Sequence, residues 1–233
     1  MLRRLRARAL VVAAGCVGAA PGTVAQSPPE AHLALAGRLA LSAGGRAARD
    51  RGLDLRQAAV WYEPARRTER AAPVHAEMTT HRKQFSPQLL VVPVGSTVRF
   101  PNSDPILHNV FSVSGKNAFD LGLVGAGAGK AATFRESGLV RVFCNVHHAM
   151  FAHVLVVGTP HFVQPDRDGR FRLDGLAAGA GTLHFWHERA EAASRRVVLP
   201  YPGELQLELE ASVPRVPPHK NKFGRSYTRG AYD

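Results

Sequence analysis

Between residues 88 and 157 the chain alternates short apolar runs with turn residues. "QLLVVPV" (88–94) is closed by Gly95-Ser96 and followed by "TVRF". Then come "HNVFSV" (108–113), "ATFRES" (132–137), "LVRVF" (139–143) and "AHVLVV" (152–157), punctuated by Gly, Pro and Asn. Several short strands at such spacing predict an all-β chain built as a β-sandwich. Helical periodicity is lacking, apart from short turns predicted around Leu53 to Ala58 and Glu188 to Ser194.

The flanking segments, "LALAGRLALSAGGRAARDRGLDLRQAAVWYEP" (33–64) and "FVQPDRDGRFRLDGLAAGAGTLHFWHE" (162–188), are strand-rich as well. Each flank offers only about 40 to 55 residues, a size at which a separate core is marginal. Residues 33–70 and 159–212 are therefore expected to complete one smaller sandwich interrupted by residues 73–158. Two independent pieces packed on the central sandwich are the alternative. The last stretch, 213–233, is Pro-rich and basic and is predicted to be extended or disordered.

The N-terminus sets the compartment. Arg3, Arg4, Arg6 and Arg8 precede an apolar run from Ala9 to Ala20, and Thr23-Val24-Ala25 suits cleavage before Gln26. Residues 1–25 read as a signal peptide, so a periplasmic or secreted protein is expected. "AAGC" ending at Cys16 is a weak lipobox and makes a lipid anchor the lesser alternative. No stretch reaches the roughly 20 apolar residues of a membrane-spanning helix. Without those four arginines, 30 Lys and Arg against 18 Asp and Glu leave the mature chain at +8 rather than +12. This charge favours acidic partners weakly, and no nucleic-acid partner is expected.

With Cys16 removed, Cys144 is the remaining cysteine. An unpaired thiol in an oxidising compartment is a liability unless it is buried or bound to metal. It stands in "FCNVHHAM" (143–150), between two predicted strands, with His147 and Met150 on the same loop. Thiolate, imidazole and thioether together suit copper better than a hard cation. His148 fits less well than His147, because it leaves one residue before Met150 and neighbouring side chains on extended backbone point oppositely. A trigonal His₂Cys site with a distant Met needs a second imidazole. His108, in "FPNSDPILHNVFS", can supply it from another strand.

"GSTVRFPNSDPILHNVF" (95–111) followed by "CNVHHAM" (144–150) resembles the cupredoxin family in its plastocyanin and amicyanin branch, over roughly residues 73 to 158. It is similar in particular to the exported bacterial proteins labelled as methylamine-utilization proteins. The resemblance implies a Greek-key sandwich holding one type 1 copper, with His108, Cys144 and His147 as equatorial ligands and Met150 as the axial one. It also implies a backbone N–H from Asn109 to the thiolate, and Asn145, next to Cys144, is a further supporting candidate. Leu107 stands where these branches commonly carry proline. The flanks resemble carboxypeptidase regulatory-like, transthyretin-type sandwiches, through Asp168-Gly169, Phe171, Leu173, Gly175-Leu176 and Gly179.

Other motifs lead elsewhere. "GAGAGK" (125–130) has the wrong glycine spacing for a phosphate loop and lacks its Ser/Thr, so a flexible hairpin is expected there. "DRDG" (166–169) lacks the later acidic ligands of a calcium loop and reads as an Asp-Gly turn. His184 and His187 are expected to be structural or surface residues, and no His-x-His pair supports multicopper oxidase chemistry. Nothing suggests hydrolysis or group transfer, so an enzyme is not expected. The expected function is a one-electron shuttle serving an exported redox protein such as a c-type cytochrome, through an apolar rim of Ala149, Met150 and Phe151 around His147. The alternative is a copper-binding module for storage, delivery or sensing.

Overall fold

The computed structural model describes residues 33–43, 46–47, 53–66, 69–212, 214, 216 and 219–226; the expected signal peptide and Cys16 lie outside them. The strands run β1 (Leu33–Ala43), β2 (Arg46–Ala47), β3 (Ala58–Pro64), β4 (His75–Glu77), β5 (Thr79–His81), β6 (Gln84–Ser86), β7 (Leu89–Pro93), β8 (Thr97–Asn102) and β9 (His108–Ser112). They continue as β10 (Phe119–Val124), β11 (Gly127–Thr133), β12 (Gly138–Cys144), β13 (Phe151–Val157), β14 (Phe162–Val163), β15 (Arg170–Leu176), β16 (Gly179–His187), β17 (Ala193–Leu199) and β18 (Leu205–Glu210). The chain is all-β. The expected turn at Leu53 to Ala58 contains one turn of 3₁₀ helix, Leu55–Gln57. No helix among the described residues is long and apolar enough to cross a membrane.

Four sheets form. The central segment makes two, ordered β10-β9-β12-β13-β7 and β11-β8-β5-β6 with β4 on β8. Their inner faces enclose one core, which includes Phe100, Val110, Val142, Cys144, Met150 and Val154. The flanking segments make the other two, β15-β1-β18 and β14-β3-β16-β17. In them β1 lies antiparallel to β15 and parallel to β18, and β3 lies antiparallel to β16. Leu35, Leu39, Tyr62, Phe171, Leu183 and Leu205 belong to their shared core. Strands from before and after the central segment thus hydrogen-bond to one another.

β13 explains why "AHVLVV" is continuously apolar. All its residues are buried. Ala152, Val154 and Val156 enter the central core, while Leu155 and Val157 join Leu89, Ala59 and Trp186 in a third cluster between the two pairs of sheets. A strand covered on both faces loses the polar alternation of a half-exposed one.

Local sequence accounts for several turns. In "DRDG" the Asp166 carboxylate accepts the N–H groups of Asp168 and Arg170, both at 2.8 Å. Gly169 there adopts φ 77° where a Cβ would strike the Leu39 carbonyl, so glycine is required. "GAGAGK" is not a flexible hairpin. Gly125 and Ala126 form the corner where the chain passes from β10 in one sheet to β11 in the other, and residues 127–130 open β11, where Gly129 (φ 69°) lies so close to the Phe100 carbonyl that a side chain would collide.

His153 sits in the layer between the sheet pairs, its ring at 5.1 Å from Trp186 and 5.8 Å from Phe151. Burial, with Arg141 and His187 nearby, lowers its pKa from 6.5 to about 4. The unfolded chain therefore takes up this proton first. The stability that neutral His153 contributes is complete above the ordinary histidine range and is lost as pH falls toward 4, by about 3 kcal/mol in all. Urea titrations from pH 7 to 4 should show this loss, and His153→Leu should flatten it. Because β1 lies between β15 and β18, deleting residues 33–43 should also expose residues 159–212 to limited proteolysis; unchanged protection would show that they fold without it.

Candidate metal centre

The site is built where β9 and β12 run side by side. Phe143 pairs with Phe111 and Cys144 with Val110, so alternate residues face opposite ways. Phe111, Phe143 and Phe151 cluster on one face, and Cys144 enters the core on the other. His108, the first residue of β9, is fully buried. The loop after Cys144 closes back on itself, with the Met150 N–H on the His147 carbonyl at 3.1 Å and the Cys144 N–H on the Met150 carbonyl at 3.2 Å.

The structure brings three of the predicted ligands together. Nδ1 of His108 lies 3.7 Å and Nδ1 of His147 3.8 Å from the Cys144 sulfur, and their ligand atoms all lie within 4.8 Å of one another. Bonds of about 2.1 Å to imidazole and 2.3 Å to thiolate, at trigonal angles, separate nitrogen from sulfur by about 3.8 Å. The spacing suits one shared ion. Met150 is buried in the same apolar cluster as Cys144. Among the described residues, no other group of three or more His, Cys, Asp and Glu side chains comes together in this way. His184 instead stacks on Trp61, with ring centroids 5.1 Å apart, and His187 bonds the Asp54 carbonyl and the Arg189 N–H.

Electrostatics prepare the thiolate. Burial alone would raise the Cys144 pKa, but hydrogen bonds from His108 and from the backbone N–H groups of His147, Asn109 and Val146 outweigh it and hold the pKa below its ordinary value. Asn109 thus reaches the sulfur through its backbone, while its side chain donates to Asp120 and to the Gly122 carbonyl. Asn145 joins the two ligand segments, its N–H meeting the Asn109 carbonyl at 2.9 Å. Burial, His108 and Lys83 lower the pKa of His147, which favours the neutral imidazole that a metal requires.

Sequence reasoning missed Asp104. Its buried carboxylate meets His108 Nε2 at 2.9 Å and accepts the N–H groups of Arg82 (2.6 Å) and Lys83 (2.9 Å). With Nε2 engaged, Nδ1 is the nitrogen aimed at the centre. Asn102 shapes the loop in between, accepting from the Asp104 N–H and donating to the Ile106 and Val124 carbonyls. An Asp four residues ahead of a candidate ligand histidine was the available signal.

Two expectations change. Met150 and Phe151 do not form an exposed rim: both are buried, Met150 in the core and Phe151 against Phe111 and Phe143, leaving Ala149 exposed. Part of the C-terminal segment is folded onto the site's flank rather than extended. The His219 ring stacks on Phe143 at 4.0 Å, the Lys222 N–H donates to Asn145 Oδ1 at 3.0 Å, and its ammonium meets Asp120 at 2.8 Å.

No protein-family model and no curated protein matches this chain. Solved structures do. Amicyanin from Paracoccus versutus (Thiobacillus versutus) is 25% identical over 35% of this chain and 80% of its own, with a TM-score of 0.33. A purple cupredoxin from Nitrosopumilus maritimus is 26% identical over 35% of this chain and 99% of its own, at 0.32. The copper-containing nitrite reductase of Thermus scotoductus is 23% identical over 42% of this chain and 25% of its own, at 0.34. These likenesses are partial. The case for a metal rests on His108, Cys144 and His147 themselves.

If Asp104 orients His108, Asp104→Asn should weaken metal binding by roughly 10- to 100-fold while leaving the β-sheet circular dichroism unchanged. Competition with a chelator measures this; an unaltered affinity would reduce Asp104 to a loop anchor.

Proposed function

We propose that this chain is an exported carrier of single electrons, with one type 1 copper held by His108, Cys144 and His147 and, more distantly, by Met150. The observation that carries this reading is the buried convergence of one thiolate with two imidazole nitrogens. Soft sulfur donors beside imidazole select copper over hard cations. When bound, copper would supply a centre that cycles between Cu(I) and Cu(II).

The protein's own groups support the rest. Asp104 orients His108, three backbone N–H groups stabilise charge on the Cys144 sulfur, and the closed 144–150 loop holds His147 and Met150 in place. His108 and Cys144 are 0% exposed, Met150 1% and His147 8%. A substrate has no direct approach to such ligands, whereas an electron needs none. This favours a carrier over an enzyme, and the anchored ligands also disfavour release of the metal for delivery. The sequence of residues 1–25 supports export, and a c-type cytochrome in the same compartment is the proposed partner. The domain reading that goes with this is a cupredoxin-like unit at 73–158 inserted into a transthyretin-like sandwich made from 33–70 and 159–212.

Copper-loaded protein should contain one copper per chain and show an intense visible thiolate-to-copper band. Cys144→Ser should abolish the band and leave the β fold intact. Stopped-flow oxidation of the reduced form should be complete in milliseconds to seconds. A colourless loaded protein would overturn the type 1 assignment, and a coloured one that exchanges electrons only over hours would point to storage or delivery.

A further inference from the structure

The tip of the β5–β6 hairpin lies beside the metal centre and is unusual in two respects. Arg82 and Lys83 both adopt left-handed backbone, φ 50° and 55°, a conformation uncommon for side chains of this kind. Their N–H groups are spent on the buried Asp104 carboxylate, which also holds His108. That anchorage fixes where the tip sits. Both side chains are exposed, and neither forms an ion pair with a described residue. Lys83 is close enough to act electrostatically on His147.

The surroundings are apolar and poor in acid. Ile106 and Leu107, on the loop between Asp104 and His108, are 40% and 53% exposed, and Ala149 is exposed on the ligand loop. From Met78 to Phe119 the one acidic residue is Asp104, which is buried, and from Ser137 to Pro165 there is none. Of the carboxylates that bound these stretches, Glu77 lies 3.9 Å from Arg99, Asp120 and Glu136 are paired with Lys222 and Lys116, and Asp166 accepts the N–H groups of its own turn. Of the described C-terminal residues, His219 stacks on Phe143 and Val216 lines a cavity with Gln84 and Ala149, while Arg82, Lys83, Ile106 and Leu107 are exposed.

We infer that the Arg82–Lys83 tip, with Ile106 and Leu107, is the docking surface for an acidic patch on a partner protein. This rests on the carrier reading and deepens it, because it places the attraction at one point instead of in the overall positive charge. Two fixed cations next to a small apolar area suit a brief encounter: charge steers and orients the partner, and a small contact lets it leave. Asp104 fixes the geometry by holding the tip and the ligand His108 through one carboxylate.

The test has two arms. In the first, the paramagnetic anion hexacyanochromate(III) is titrated into the metal-free full-length protein, and NMR line broadening is mapped. Broadening should concentrate at residues 81–84 and 106–107, and poly-aspartate should relieve it more effectively than sulfate at equal ionic strength. Broadening spread over the basic surface, or equal relief by sulfate, would overturn the inference. In the second arm, copper-loaded protein is oxidised or reduced by hexacyanoferrate and by hexaammineruthenium ions in stopped flow. Replacing both tip cations (Arg82→Asn with Lys83→Asn, asparagine being tolerated in left-handed backbone) should slow exchange with the anion roughly fivefold to tenfold at low salt. It should leave the visible spectrum unchanged and not slow the cation. Arg195→Gln with Arg196→Gln removes the same charge from β17 and should have a much smaller effect. Equal effects of the two double variants would show that only net charge matters. If the copper does not cycle, the carrier reading fails, and the first arm still decides the surface.

Discussion

The buried carboxylate of Asp104 is the constraint on which the His108–Cys144–His147 cluster depends. An ionised carboxylate removed from water costs several kcal/mol unless its oxygens are bonded. Here it accepts two backbone N–H groups from the β5–β6 turn and contacts the His108 ring. Each partner gains from the arrangement. The turn keeps a left-handed pair of residues that is otherwise unfavourable, and His108 gets a fixed orientation that leaves Nδ1 toward Cys144. Burial would raise the Asp104 pKa, but the bonds from Lys83, His108 and Arg82 prevail and hold it below the ordinary carboxylate value. Asn102 in turn fixes Asp104 through its backbone N–H and is itself bonded by Thr80.

Rigidity at the site also comes from behind it. β13 carries the end of the ligand loop, and it is covered by the central core on one face and by the second pair of sheets on the other. Moving Met150 relative to Cys144 would require β12 and β13 to shift against each other. That motion would break a six-residue antiparallel ladder from Gly138↔Val156 to Phe143↔Phe151. Such stiffness suits the proposed redox role, in which a bound copper would change oxidation state while His108, Cys144, His147 and Met150 stay in place. On the flank, Lys222 adds a further tie by joining Asn145 and Asp120, residues that touch the two ligand segments.

How much of this was legible in the sequence depended on the range of each interaction. "LVRVF" and "AHVLVV" read as strands because local apolar runs dictate them, and the Cys144-to-Met150 loop stood out because rare side chains fall close together. β4 to β6 were not legible. In "HAEMTTHRKQFS" Met78, Thr80 and Phe85 are buried, yet polar neighbours hide them, and the pairing of β4 and β5 with β8 arises only in the folded chain. Asp104 was visible as a residue but not as a partner, because nothing local says that its loop folds back under the β5–β6 turn. The packing of His219 and Lys222 in the C-terminal segment was not legible for the same reason. The segment's proline and lysine content argues for extension, whereas the positions of these two residues are set by Asp120, Phe143 and Asn145, over 70 residues away in sequence.

The second pair of sheets bears on function through what it covers. Were the central sandwich alone, the outer faces of β7 and β13 would expose Leu89, Leu155 and Val157, an apolar patch of the kind that promotes association. Ala59 and Trp186 cover it. Near the His108–Cys144–His147 cluster, exposed Ile106 and Leu107 lie beside Arg82 and Lys83, which form no ion pair with a described residue. A carrier must avoid sticking along its sides and yet meet its partner at one end. Under the proposed carrier reading, the flanking strands would serve electron transfer indirectly, by removing a competing apolar surface from the sides of the central sandwich.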